Sequence, residues 1–115
     1  MPNSTDLQPH QCGIIGMGLM GTAVQQMTRA TRGWDLDETR CTCAATAQEV
    51  FDNCKVVFLC LPNSDIAAST LRAASLRPGQ IIIDTSTGAP EEMACLGREL
   101  HAQGVHYLDA TVSGS

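Results

Sequence analysis

Aromatic residues are nearly missing from this 115-residue chain: Trp34, Phe51, Phe58 and Tyr107 are all there are. A core must therefore be built from Ile, Val, Leu, Ala and Met. Apolar residues still make up 43% of the chain, too many for a disordered tail. Basic charge is scarce as well. Seven Lys and Arg against twelve Asp and Glu leave a net charge of −5 and a pI near 4.9. Lys55 is the single lysine. No basic stripe can form from so few scattered cations, which argues against nucleic acid as a partner. No apolar run approaches the roughly 20 residues that span a bilayer, so no membrane role is expected. The leader, residues 1–11, is polar, lacks a signal peptide's basic start and apolar stretch, and is expected to be unordered. These absences place the chain in the cytoplasm.

Cysteine is not scarce, but its pattern excludes the usual frameworks. The six cysteines are Cys12, Cys41, Cys43, Cys54, Cys60 and Cys95. Without a secretory signal, and with Cys12 and Cys60 inside apolar runs, they read as structural thiols rather than disulfides. Cys41-Thr-Cys43 lacks the C-x₂-C spacing of common zinc sites, so no metal is expected.

What remains alternates short apolar runs with amphipathic ones, the mark of βαβ units on a parallel sheet. The predicted strands are Cys12–Ile15, Trp34–Asp37, Lys55–Leu61, Gln80–Asp84 and Val105–Asp109. The predicted helices begin with Leu19–Arg32, ended by Gly33, with Met20, Ala23, Val24, Met27 and Ala30 on its inner face. Thr46 and Glu49 form a capping box opening a short helix to about Asn53. Asp65–Ser75 follows, capped by Asn63 or Ser64. Pro90, Glu91 and Glu92 open the last helix, cored by Met93, Leu96 and Leu100. The expected fold is α/β: a Rossmann-type doubly wound, mostly parallel sheet spanning 12–115. Between Asp37 and Thr46 too few residues remain for the helix and strand that complete its first half. A loop is expected there, or at most an edge strand at Arg40–Ala44.

Gly16-Met17-Gly18-Leu19-Met20-Gly21 is a G-x-G-x-x-G element placed directly after a strand and opening a helix. Gly16 suits the tight turn, Gly18 lets a pyrophosphate approach the backbone, and Gly21 allows close helix–strand packing. The helix N-terminus at Leu19 and Met20 then meets the anion. An acid about 20 residues on holds the adenosine ribose. Asp35, 19 residues after Gly16, and Asp37 are the candidates. Asp35 slightly favours NAD over NADP by repelling a 2′-phosphate. Arg32 and Arg40 would reverse that preference if either reached the site.

Four segments together resemble a known family. Ile14-Ile-Gly-Met-Gly-Leu-Met-Gly21, Val57-Phe-Leu-Cys-Leu-Pro62, Asp84-Thr-Ser-Thr-Gly-Ala-Pro90 and Tyr107-Leu-Asp-Ala-Thr-Val-Ser-Gly114 are similar to the successive motifs of the β-hydroxyacid dehydrogenases. That family includes 3-hydroxyisobutyrate dehydrogenase and, more distantly, 6-phosphogluconate dehydrogenase. The resemblance implies a cofactor-binding N-terminal domain in an enzyme that moves hydride between NAD or NADP and a small 3-hydroxy acid. It implies that Met17–Met20 touch the pyrophosphate, that Leu61 and Pro62 line the cofactor channel, that Thr87 meets the nicotinamide end, and that Ser113 and Gly114 bind substrate carboxylate. A homo-oligomer is expected.

Several departures stand out. Thr111 replaces a proline, Ser115 a second glycine, and the Asp37–Thr46 segment is short. The family's catalytic lysine lies on a helical domain beyond Ser113, and Lys55, at a strand start, cannot replace it. His10, His101 and His106 read as surface or structural. No catalytic residue is assigned, and the chain by itself is expected to be inactive. Three rivals stand beside this reading: a non-catalytic dinucleotide-binding or interaction module, an imine-reductase-like enzyme, and a deletion-bearing fragment unable to fold.

Overall fold

The computed structural model describes residues 7–110. Five strands form one sheet: β1 (Cys12–Ile15), β2 (Arg32–Trp34), β3 (Val56–Leu59), β4 (Ile81–Asp84) and β5 (His106–Asp109). Their order is β2-β1-β3-β4-β5 and every pairing is parallel. Four helices connect them: α1 (Leu19–Thr28), α2 (Ala47–Asn53), α3 (Ser64–Ala73) and α4 (Pro90–Ala102). This is the α/β doubly wound arrangement that the alternation of the sequence predicts. Of the leader, Pro9–Gln11 forms a 3-10 turn in which the Gln8 carbonyl accepts the Gln11 N–H and the Gln11 side chain accepts the Gln8 N–H; residues 1–6 lie outside the described residues.

The central strands are buried because apolar side chains leave both faces of the sheet. On one face Ile15, Val57, Leu59 and Ile82 pack against α2, α3 and α4 through Val50, Phe51, Leu71, Leu96 and Leu100. On the other, Cys12, Ile14 and Val56 meet α1 through Val24. That second face is only partly covered. Phe58, Ile81 and Ile83 stay half-exposed, and Leu108 is exposed.

α1 departs from the expected helix. It stops at Thr28 because Arg29 adopts the left-handed conformation at its C-cap, φ 57°. Gly33 is therefore not a helix terminator but the buried middle of β2, where a Cβ would strike the Met17 thioether at 2.6 Å. The buried stripe of α1 is Gly21 and Val24; Met27, expected inside, is 81% exposed. The second strand accordingly runs Arg32–Trp34 rather than Trp34–Asp37.

The short segment after β2 closes on itself. Asp37 caps a 3-10 turn at Glu38–Arg40 by accepting from the Thr39 N–H. Thr42 then pairs with Gly33 in an isolated antiparallel bridge, with reciprocal N–H···O bonds of 2.8 and 2.9 Å. Two residues thus finish the sheet edge where a full helix and strand are lacking. Thr46 caps α2 as expected by accepting the Glu49 N–H at 3.2 Å, but the Glu49 carboxylate reaches back to the Ala45 N–H at 2.9 Å rather than to Thr46, so the reciprocal half of the capping box falls one residue early. Among the described residues, no helix is long and apolar enough to cross a membrane.

Candidate functional site

The strand order reverses between β1 and β3: the chain first moves outward to β2, then crosses to the other side of β1. Ligands of open α/β sheets bind at such a switch point, outside the carboxyl ends of the strands. A cleft of about 320 Å³ opens there, lined by Gly16, Gly18, Trp34, Asp35, Leu36, Arg40, Cys60, Leu61, Pro62 and Ile66. Five residues expected from the sequence, Gly16, Gly18, Asp35, Leu61 and Pro62, thus converge on one space.

The glycine turn is built tightly. Gly16 takes φ +97° and donates its N–H to the Trp34 carbonyl at 2.8 Å. Its Cα lies against the Cys60 carbonyl, where a Cβ would overlap. Gly21 lies so close to the Gly16 carbonyl that no Cβ fits there either. Gly18, the N-cap of α1, differs: a Cβ built on it meets nothing within 4 Å. The space before the free N–H groups of the first turn, Leu19 to Gly21, is therefore open to an anion. Leu19 is 96% exposed and Met20 39%, which leaves their backbone accessible.

Met17 is placed differently from the other loop residues. Its side chain is buried beneath Gly33, and its N–H donates to Asp35 Oδ2 at 2.7 Å. Met17 thus holds the loop rather than presenting a donor to a ligand. Asp35 is correspondingly engaged: Oδ1 accepts from the Asp37 N–H at 2.8 Å, and the Cys41 thiol bridges its N–H and carbonyl at 3.3 Å. These contacts fix the carboxylate at the cleft wall. Asp37 lies outside the cleft. The Thr39 hydroxyl, then the Thr39 N–H, then the Arg40 guanidinium at 3.4 Å hold its carboxyl below the usual range. Arg40 itself reaches the cleft, whereas Arg32 does not line it.

Thr87 is exposed and outside the cleft lining; its carbonyl accepts the Ser64 N–H at 3.0 Å. Ser113 and Gly114 lie outside the described residues. Lys55 is exposed at the start of β3, the end of the sheet away from the cleft. All six cysteines are free thiols, and no metal-ligating cluster forms among the described residues. Burial pushes the Cys60 thiol up, against a hydrogen bond with Thr85.

The sequence reading missed Trp34, Leu36, Cys60 and Ile66 as cleft residues, and gave Asp84, the first residue of a family-like segment, no role. Asp84 is fully buried at the end of β4. Its Oδ1 accepts the Ser86 N–H and hydroxyl at 2.9 and 2.6 Å, and Oδ2 the Tyr107 hydroxyl at 2.6 Å. Alternation along Ile81–Asp84 was the available signal, since it places Asp84 on the covered face with Ile82. Burial first, then the hydrogen bond to Asp84 and the negative charge of Asp84 and Asp109, push the Tyr107 phenol well above its ordinary value of 10. Because the native state keeps this proton when the unfolded state would release it, the contribution of Tyr107 to stability is fully present below pH 10 and is lost as the pH rises above it. Tyr107 is the only tyrosine, so tyrosinate absorbance reads it directly. Native protein is expected to develop none until well above pH 10, and denatured protein to titrate near 10. Coincident curves would exclude the buried hydrogen bond.

A family model described as the NAD binding domain of 6-phosphogluconate dehydrogenase matches residues 11–115. L-threonate dehydrogenase from Cupriavidus necator is 34% identical over 120 residues, covering 89% of this chain and 40% of that protein. The cytokine-like nuclear factor N-PAC from Xenopus tropicalis is 28% identical over 120 residues, covering 90% of this chain and 22% of that protein. Among solved structures, Mycobacterium tuberculosis 3-hydroxyisobutyrate dehydrogenase with L-serine superposes with a TM-score of 0.78 at 24% identity. It covers 90% of this chain and 40% of that one. The chain thus spans two fifths or less of these proteins.

Proposed function

The chain belongs to the family of NAD binding domains typified by that of 6-phosphogluconate dehydrogenase, and on that premise we propose that it holds NAD, in preference to NADP, along the cleft at the sheet's switch point. The observation that carries this reading is the open space over Gly18, flanked by the first turn of α1 on one side and by Asp35 on the other. A pyrophosphate placed there meets N–H donors and the positive end of the helix. Asp35 accepts from the adenosine ribose, and its fixed negative charge opposes a 2′-phosphate. Arg40 on the same wall works against that preference but is engaged by Asp37. Leu61 and Pro62 give the cofactor an apolar wall, and Thr87 marks its nicotinamide end.

The whole protein then acts as an oxidoreductase on a small 3-hydroxy acid. When bound, the cofactor supplies the hydride chemistry. This chain binds and orients it, and Ser113 and Gly114 contribute to holding the substrate carboxylate. Among the described residues we assign no catalytic acid or base, so turnover on this reading rests on residues other than those described. The half-covered sheet face at Phe58, Ile81, Ile83 and Leu108 supports such a further domain, or a second copy, packing there. We place the protein in the cytoplasm. One relative carries the name of a nuclear factor rather than of an enzyme, which favours a second reading, a dinucleotide-binding module without turnover; a parent chain lacking any downstream lysine would select it.

The test is a titration with NADH and NADPH followed by quenching of Trp34, the only tryptophan, which lines the cleft. NADH is expected to bind tighter. Asp35→Ser removes one charge-assisted hydrogen bond and should weaken NADH by roughly tenfold or more while closing the gap to NADPH. A folded chain that binds neither cofactor would overturn the proposal.

A further inference from the structure

We propose that Asp84 is a positioning residue: it fixes the loop that follows β4 so that Thr87 meets the nicotinamide half of the cofactor, and it ties that loop to β5. The inference rests on the cofactor reading above and deepens it.

A carboxylate is a costly residue to bury at the end of a central strand, where Ile81, Ile82 and Ile83 precede it. An apolar side chain would fill the site more cheaply. What the carboxylate adds is three acceptor contacts in two directions. Oδ1 holds both the N–H and the hydroxyl of Ser86, which folds the chain back over the strand end. Oδ2 takes the hydroxyl of Tyr107, from the neighbouring strand. The residues around Ser86 are pinned as well. Thr85 donates its N–H and its hydroxyl to the Leu59 carbonyl at 2.9 and 2.8 Å. Thr87 accepts from the Ser64 N–H, and Gly88 packs on Ser64 so closely that a Cβ would overlap its side chain. The main chain from Thr85 to Gly88 is thus set residue by residue, and the Thr87 side chain is left exposed at its tip. Asp84 links this loop to β5, the strand that precedes Ser113 and Gly114 in sequence.

The experiment compares NADH with ADP-ribose, which carries the adenosine and both phosphates but no nicotinamide. Asp84→Ala is expected to weaken NADH by roughly tenfold while changing ADP-ribose by less than about twofold. Tyr107→Phe and Ser86→Ala, each removing a single hydroxyl, are expected to shift the same ratio by a smaller factor and to fold even if Asp84→Ala does not. Asp84→Asn offers its oxygen to Ser86 and its N–H to the Tyr107 oxygen, and should restore most of the NADH affinity. Equal loss of both ligands would make Asp84 a structural residue only and overturn the inference, as would a ratio unchanged in all three weakened variants. Wild-type protein that binds neither ligand would overturn the cofactor reading itself.

Discussion

Replacing Gly18 with valine is expected to abolish dinucleotide binding and to leave the fold standing. The two halves of that result come from one observation. A Cβ at Gly18 meets no protein atom within 4 Å, and its backbone, φ −77° and ψ −152°, is extended. The first carbon of the new side chain therefore clashes with nothing, and the backbone is not in the left-handed region that favours glycine. The only stability term is the poorer N-cap, worth about 1 kcal/mol, which lowers the melting temperature by several degrees. The ligand fares differently. The branched side chain occupies the space through which a pyrophosphate reaches the N–H groups of Leu19 and Met20. Two charge-assisted hydrogen bonds at about 1.5–3 kcal/mol each are lost, roughly a hundredfold in affinity or more. Calorimetric titration with NADH, beside a thermal melt, separates the two effects. A valine variant that binds as tightly as the parent would place the anion elsewhere and leave the glycine motif a mere turn.

The contrast between Gly18 and its neighbours also explains how much was legible beforehand. Strand runs such as Val56–Leu59 and Ile81–Asp84, the Thr46 cap and the Met93–Leu96–Leu100 stripe all follow from residues a few positions apart, and all formed where local pattern put them. The glycine motif was legible because strand, turn and helix lie consecutively. What misled was α1. Its packing runs through a glycine, so a search for large apolar side chains chose Met20 and Met27, which face solvent. Gly33 was read as a helix stop because glycine is the usual left-handed residue, but Arg29 adopts that conformation instead. The edge bridge of Thr42 to Gly33 and the burial of Asp84 under Tyr107 join residues far apart in sequence, and no periodicity announces them. For the same reason Trp34, Cys60 and Ile66 escaped the site reading: each comes from a different part of the chain and meets the others only at the cleft.

Gly21→Ala is expected to produce a large loss of stability, although helix propensity alone predicts a gain. Gly21 sits in the first turn of α1, and alanine is favoured over glycine inside a helix by about 1 kcal/mol. Against this stands a backbone collision: the added methyl overlaps the carbonyl oxygen of Gly16 and comes within 2.9 Å of its carbonyl carbon. A clash with a flexible side-chain tip would relax at little cost, but here the neighbour cannot retreat. Gly16 is held by its N–H bond to Trp34, by a φ of +97° and by the Cys60 carbonyl behind it. Relief must come from moving α1 off the sheet, which opens the packing of Ile14 and Val24. Overpacking of this kind costs about 1–3 kcal/mol and more where the surroundings are rigid, so it exceeds the propensity term. The melting temperature should fall by on the order of 10 °C. Cofactor affinity should fall with it, because the displaced helix carries the N–H groups that face the phosphates. A Gly21→Ala protein that melts at or above the parent temperature would mean that helix and glycine turn do not approach as closely as this geometry requires.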